Sequence, residues 1–265
     1  MFAGGTVAAH VLGQGPRLVL LHSLLADRSS FEAIASELSQ HFTVMLPALP
    51  GFETSPSVGG DLADVADRMA AAVRDFAGGE PVLLLGNGYG GFVALQMVIR
   101  HPGIATRLVL ADAGAAFSEP GREAFRGMAR GASAKGLEGI ADIAMRRLFA
   151  PDFHAANPAL VAARRESFLR TDPQTVIAAC SALATLDLRA QLADLHLPIL
   201  ALVGEQDEAT PPPMSRELAS LAPNATLCVL QGCAHVPQLQ APARFLAAVL
   251  PFLQSQQATL AETAS

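Results

Sequence analysis

The sequence has little of several features that mark particular classes of protein. Its 265 residues carry 18 lysines and arginines against 24 aspartates and glutamates, a formal net charge of −6. No basic surface for nucleic acid or anionic lipid is therefore predicted. No apolar run reaches the roughly 18 residues that a transmembrane helix needs. Residues 1–5 have no positive charge followed by a long apolar stretch, so we expect neither a membrane partner nor a signal peptide.

Cysteine is also scarce, with only Cys180, Cys228 and Cys233 and no C-x-x-C motif. An odd, sparse set of this kind is typical of reduced thiols, so a cytoplasmic location is expected. No metal or cofactor site is predicted. Charged residues make up only 16% of the chain and hydrophobic residues 51%, a balance that excludes general disorder. The length suits one large α/β domain better than two small ones.

Short apolar runs alternate with longer helical patterns, which predicts parallel strands joined by crossover helices. Several runs are apolar at nearly every position, as expected when helices cover both faces of a sheet. An antiparallel edge strand is expected over 6–12. The predicted core strands are 17–22, 42–46, 81–86, 107–112, 198–204 and 226–231. Residues with helical spacing between them are 30–39, 61–76, 90–101, 214–221 and 242–253.

One long segment, 115–195, contains no convincing strand. It predicts about four helices, at 120–130, 134–149, 158–170 and 173–185, separated by turn signals that include Ala150-Pro151-Asp152 and Asn157-Pro158. An insert of this length between two core strands is more typical of a lid than of a loop. We therefore expect an α/β core formed by 1–114 and 196–265, with 115–195 as a helical cap.

Ligands of parallel sheets bind at the carboxyl ends of the strands, so the residues after each strand matter most. The third core strand is followed by Gly86-Asn87-Gly88-Tyr89-Gly90-Gly91, which opens a helix. This is the setting of the nucleophile elbow G-x-S-x-G, in which small residues flank a nucleophile held in a strained, left-handed conformation. Gly88 occupies the central position. The predicted turn is kept, and the hydroxyl is absent.

Three other loops carry chemistry. Asp207 follows one strand and His235 follows the last, so this aspartate can orient the histidine. Asp112, at the end of its own strand, is the alternative acid. After the first core strand, the backbone N–H groups of 22–25 can point at a developing oxyanion.

Taken together, these residues resemble the α/β-hydrolase superfamily, in the branch with 3-oxoadipate enol-lactone hydrolases and meta-cleavage-product hydrolases. The resemblance runs from about residue 18 to 253, in the superfamily's order of elbow, cap, acid and histidine. It implies a small-molecule substrate with an ester, lactone or activated carbon–carbon bond. It also implies that Asp207 is the triad acid, His235 the general base, and the N–H groups of Leu24 and Tyr89 the oxyanion hole. The chain departs from the pattern at Ser23, where glycine is usual, and at Gly88.

Gly88 leaves three hypotheses open. The chain is a hydrolase inactivated or diverged by loss of its serine; an enzyme in which His235 acts as general base without a covalent step; or a non-catalytic ligand-binding protein. Ser23 is interpreted as a small residue that permits close backbone approach, and His22 as a scaffold residue. Cys233 is a weak substitute nucleophile, since it lies on a different strand from the elbow.

The cap carries eight arginines, one of which, facing inward, would suit a carboxylate-bearing substrate; the sequence does not single it out. Whether the chain forms a homo-oligomer is also left open. The cap arginines are Arg122, Arg126, Arg130, Arg146, Arg147, Arg164, Arg165 and Arg170.

Overall fold

A seven-stranded sheet forms the centre of the fold in the computed structural model, which describes residues 1–59 and 61–255. The end of the predicted core, 256–265, thus lies outside the described residues. The strands are β1 (Ala9–Leu12), β2 (Arg17–Leu21), β3 (Thr43–Pro47), β4 (Val82–Asn87), β5 (Ala105–Ala111), β6 (Ile199–Gly204) and β7 (Ala225–Leu230). In spatial order they are β1, β3, β2, β4, β5, β6 and β7. All neighbouring pairs are parallel except β1 with β3, so the predicted antiparallel edge strand is confirmed.

The central strands are apolar because both of their faces are covered. In β2, Leu18 and Leu20 belong to one hydrophobic cluster and Val19 and Leu21 to the other, and all four are fully buried. Burial of each leucine side chain stabilises the fold by roughly 1.5–3 kcal/mol. The prediction of a mostly parallel sheet with helices on both faces is confirmed.

Eleven α-helices lie in the described ranges. They are α1 (Glu32–Leu38), α2 (Leu62–Ala77), α3 (Tyr89–Arg100), α4 (Glu119–Lys135), α5 (Ala141–Leu148), α6 (Pro151–Ala156), α7 (Pro158–Leu169), α8 (Pro173–Leu183), α9 (Pro212–Leu221), α10 (Pro237–Gln240) and α11 (Pro242–Gln254). The helix α2 begins at a capping box, in which the Asp61 carboxylate accepts from the N–H groups of Ala63 and Asp64, and it is capped at its end by Gly78, with a φ of +62°.

Five of these helices, α4 to α8, form the segment between β5 and β6. The prediction of one helix over 134–149 is wrong. Gly136 has a φ of +67°, which ends α4, and a 3-10 turn at Leu137–Ile140 precedes α5. The turn signal at 150–152 separates two helices as predicted, and Pro151 opens a further short helix, α6, because proline is well suited to a first helical position.

Candidate active site

His235 and Asp207 meet at the carboxyl end of the sheet. The Nδ1 atom of His235 lies 2.9 Å from Oδ2 of Asp207, and both side chains are nearly fully buried. The N–H on Nδ1 donates to the carboxylate, so Nε2 carries the free lone pair. Asp207 lies in the loop after β6, and His235 lies in the loop after β7. The two loops come together because β6 and β7 are parallel neighbours.

Asp207 is held as a carboxylate by its neighbours. Burial alone would raise its pKa, but the interaction with His235 and the hydrogen bonds from Thr210 hold that pKa below its usual value. The Thr210 hydroxyl donates to Oδ2 at 2.6 Å, and the N–H groups of Ala209 and Thr210 donate to Oδ1. The carboxylate is therefore fixed in the orientation that meets the imidazole.

Asp112, the alternative acid, makes no hydrogen bond or ion pair with His235 among the described residues. Its Oδ1 accepts from the N–H of Gly204 at 2.8 Å, and it is completely buried. Burial and the neighbouring Asp207 charge raise its pKa well above the ordinary value. The Asp112 carboxyl thus accepts from the backbone at the end of β6 and leaves the histidine to Asp207.

Gly88 forms the turn between β4 and α3, with a φ of +53° and a ψ of −119°. A Cβ placed on Gly86 would lie 2.3 Å from the carbonyl of Gly90, and one on Gly90 would lie 2.2 Å from the carbonyl of Leu21. The two flanking glycines are thus required by close approach of backbones. A Cβ placed on Gly88 would lie 2.6 Å from Nε2 of His235. The free nitrogen of the histidine therefore faces position 88.

Ser23 directs its hydroxyl at the same nitrogen. Its Oγ lies 3.2 Å from Nε2 of His235 and 2.6 Å from the position that a Cβ on Gly88 would occupy. The interpretation of Ser23 as a small spacer does not account for this contact. His22 is a scaffold residue as interpreted: its Nδ1–H donates to the Ser23 carbonyl, its Nε2 accepts from the Leu49 N–H, and burial lowers its pKa to about 4.

A small cavity of about 20 Å³ lies over these residues, with room for about one water molecule. Core residues form its floor, and α4, α5 and α8 supply Phe125, Met128, Arg147 and Leu183 to its walls. Of the eight cap arginines, Arg147 is the one that lines this cavity. Its Nη1 contacts Sδ of Met128 at 3.2 Å, and no carboxylate of the described residues lies within ion-pair distance of it.

Leu24 and Tyr89 line the same cavity. Within residues 1–59 and 61–255, neither backbone N–H donates to another protein group. Tyr89 is the first residue of α3, where the helix dipole adds partial positive charge. Two free donors in the wall of the cavity that His235 also lines are the groups that an oxyanion hole requires.

Sequence reasoning did not single out three residues that hold this arrangement. Thr210 braces Asp207, and its Oγ also lies 3.3 Å from Nδ1 of His235. Asn87 donates to the carbonyl of His235 at 2.9 Å and accepts from Gln238 at 3.0 Å. Both Asn87 and Thr210 lie inside the motifs that located Gly88 and Asp207, so the motif positions were the available signal.

Cys233, the weak substitute nucleophile of the sequence analysis, is buried against Arg244 and away from the cavity.

Within the described ranges, no cluster of histidine, cysteine, aspartate and glutamate could hold a metal ion. None of the helices there is sufficiently long and apolar to span a bilayer.

Residues 18–248 match the alpha/beta hydrolase family. This chain belongs to that family. It is 31% identical over 251 residues to a pimeloyl-[acyl-carrier protein] methyl ester esterase of Chromobacterium violaceum, covering 92% of this chain and 97% of the relative. It is also 30% identical to part of the polyketide synthase ThaQ of Burkholderia thailandensis, covering 94% of this chain and 12% of that protein.

Solved structures agree with this membership. A thermophilic esterase from Thermogutta terrifontis is 26% identical, with a TM-score of 0.85 over 93% of this chain and 92% of the other. The enol-lactonase from Burkholderia xenovorans LB400, at 24% identity, has the same fold, with a TM-score of 0.85 over 94% and 96% of the two chains.

Proposed function

We propose that this chain is a hydrolase of small carboxylic esters or lactones, or of substrates with an activated carbon–carbon bond. In this proposal Asp207 and His235 form its acid–base pair. The observation that carries the proposal is the 2.9 Å bond from Nδ1 of His235 to Asp207, with Nε2 directed at the cavity floor. His235 takes a proton from the attacking oxygen and returns it to the leaving group, while Asp207 fixes the tautomer and stabilises the imidazolium. The esterase names of the relatives support an acyl ester as the substrate.

Position 88 has a specific place in this proposal. Gly88 occupies the elbow position at which the family's G-x-S-x-G pattern has its serine. Its left-handed φ and the close approaches at Gly86 and Gly90 support this assignment. The covalent step common in the family therefore cannot start from residue 88. The N–H groups of Leu24 and Tyr89 act as the oxyanion hole.

Residues 115–195 act as the cap of this site. The cavity below α4, α5 and α8 holds only about 20 Å³, far less than an ester of even a few carbon atoms. Substrate entry therefore needs a displacement of these helices or of the side chains that they contribute. A closing cap of this kind excludes water from the reacting groups.

Arg147 defines one end of the substrate. It is the cap arginine in the cavity wall, and it has sulfur rather than a carboxylate beside its guanidinium. A carboxylate on the acyl chain would supply the missing partner through two parallel hydrogen bonds. We expect Arg147→Met to raise KM for a half-ester of a dicarboxylic acid at least tenfold and to leave a neutral ester of equal length unchanged. Equal effects on both esters would count against a carboxylate of the substrate bound by Arg147.

The decisive experiment compares hydrolysis by the unmodified chain with hydrolysis by His235→Ala. The panel contains a p-nitrophenyl ester, a methyl half-ester of a dicarboxylic acid and a lactone. We expect kcat/KM of His235→Ala to fall by at least about a hundredfold, because general acid–base catalysis contributes roughly that much or more. His154→Ala, on α6 in the cap and outside the cavity, is the matched control.

Two results would contradict the proposal. Equal hydrolysis by His235→Ala and the unmodified chain would remove His235 from the reaction. Binding of the esters without turnover in any variant would favour the ligand-binding alternative.

A further inference from the structure

The hydroxyl missing from position 88 has a counterpart in the loop after the neighbouring strand β2. The Ser23 Oγ lies 3.2 Å from Nε2 of His235, and Nε2 is the acceptor because Nδ1 donates to Asp207. Ser23, His235 and Asp207 thus form a continuous hydrogen-bonded chain of hydroxyl, imidazole and carboxylate. This is the arrangement by which an imidazole activates a serine.

The Ser23 hydroxyl and Gly88 occupy complementary space. A Cβ on Gly88 would lie 2.6 Å from the Ser23 Oγ and 2.6 Å from Nε2 of His235. A side chain at 88 would therefore overlap the hydroxyl that now contacts the histidine. The two departures from the resembled pattern, serine at 23 and glycine at 88, face each other across one imidazole nitrogen.

The backbone holds Ser23 in place. Its carbonyl accepts from Nδ1 of His22 at 3.0 Å and from the N–H of Ala26 at 3.3 Å. The preceding carbonyl, of His22, accepts from the N–H of Gly90 at the start of α3. Ser23 is therefore held where the end of β2 contacts the start of α3. It is 1% exposed and lines the cavity. A hydroxyl fixed beside its base is pre-organised for attack.

We propose that Ser23 is the catalytic nucleophile of this chain, moved from the elbow to the loop after β2. Its Oγ attacks the substrate carbonyl carbon while its proton passes to Nε2 of His235. The resulting oxyanion accepts hydrogen bonds from the N–H of Leu24, which follows Ser23, and from that of Tyr89. The bond to the leaving group then breaks as His235 returns the proton to it, leaving an acyl ester on Ser23.

Water completes the cycle. His235 takes a proton from water, the hydroxide attacks the acyl carbon, and the ester to Ser23 breaks as its Oγ is reprotonated. The substrate class rests on the hydrolase function proposed above. Activation of Ser23 rests only on the hydrogen-bonded chain and can be tested without a turned-over substrate.

In the part of the chain that the structure describes, no other hydroxyl or thiol near the site is placed to give its proton to Nε2 of His235. The Thr210 hydroxyl donates to Asp207 and cannot also transfer its proton to Nε2. Cys233 packs in a hydrophobic cluster outside the cavity, and burial raises the pKa of its thiol. A water attacking directly would have to displace the Ser23 hydroxyl from Nε2. Ser23 is the one of these groups whose proton already points at the base.

The test is covalent labelling with diisopropyl fluorophosphate, followed by mass spectrometry of the intact chain and of its peptides. Attack by Ser23 forms the oxygen–phosphorus bond and expels fluoride, with the proton passing to His235. We expect one diisopropylphosphoryl group per chain, located on Ser23. Ser23→Ala should not be labelled, and His235→Ala should be labelled at least about a hundredfold more slowly.

Two variants separate catalysis from folding. Ser23→Ala should lower kcat/KM on the p-nitrophenyl ester about a thousandfold while its unfolding midpoint stays close to that of the unmodified chain. Ser30→Ala, which removes another fully buried hydroxyl that lacks a partner in the described structure, should label and hydrolyse normally.

The outcomes distinguish this inference from the proposed function. Hydrolysis that depends on His235 but persists in Ser23→Ala, with no phosphoryl group on Ser23, would overturn the inference and leave the hydrolase function intact. Labelling of Ser23 without hydrolysis of any ester in the panel would support the nucleophile and count against the ester or lactone substrate. Labelling at another serine would also overturn the inference.

Discussion

Addition of a single methyl group at Gly88 tests the geometry of the site directly. Gly88→Ala places a Cβ 2.6 Å from Nε2 of His235 and from Oγ of Ser23, well inside the roughly 3.5 Å contact distance of such atoms. Overpacking of this kind costs roughly 1–3 kcal/mol. The left-handed φ of +53° costs a further ~1 kcal/mol in alanine. We therefore expect Gly88→Ala to lower the free energy of unfolding by roughly 2–4 kcal/mol.

A double-mutant cycle measured by urea unfolding separates these contributions. Gly78 has a similar φ of +62° and open space where a Cβ would lie, so Gly78→Ala reports the backbone cost alone, about 1 kcal/mol. Ser23→Ala removes one of the two overlapping atoms and should reduce the cost of Gly88→Ala by about 1 kcal/mol. A Gly88→Ala cost no larger than that of Gly78→Ala, or additive effects at positions 88 and 23, would contradict the overlap of a Cβ at 88 with the Ser23 hydroxyl.

The remaining predictions concern charge and protonation. Asp207→Asn should lower kcat/KM by up to about 10⁴-fold in the ester assay, because the amide cannot hold the tautomer that leaves Nε2 free; an unchanged rate would exclude the acid role. Because burial lowers the pKa of His22 to about 4 in the folded chain, the unfolded chain binds more protons below pH 6.5. The free energy of unfolding should therefore fall by about 2 kcal/mol between pH 7 and pH 5, and His22→Gln should flatten that dependence. Asp27, in the α/β core domain, accepts hydrogen bonds from Arg164 and Ser167 of α7, so Asp27→Asn should weaken the attachment of the cap and speed proteolysis within α4–α8. Removal of the exposed Glu119–Arg126 ion pair should leave the rate of proteolysis unchanged.

Much of the fold follows from local patterns. The apolar runs of β2 and β4 predicted buried parallel strands because only strands covered on both faces lack alternation. The capping residue Asp61 and the C-terminal Gly78 marked the ends of α2. The prediction of one helix over 134–149 failed because the apolar residues keep their helical spacing across Gly136, whereas the helical backbone conformation is interrupted there. The pattern records which residues can be helical, and the left-handed glycine decides where the helix stops.

The candidate site also has a part that local sequence patterns predict and a part that depends on tertiary contacts. Motif order along the chain was sufficient to select Gly88, Asp207 and His235, since each follows a strand whose end must lie at one edge of a parallel sheet. Nothing local distinguished Arg147 from seven other cap arginines or gave the Ser23 hydroxyl a partner. Arg147 is singled out by its place in the cavity wall, and the Ser23 hydroxyl by its contact with His235, 212 positions along the chain. A sequence determines which groups follow each strand, whereas the order of β2, β4, β6 and β7 in the folded sheet decides which of those groups can share a proton.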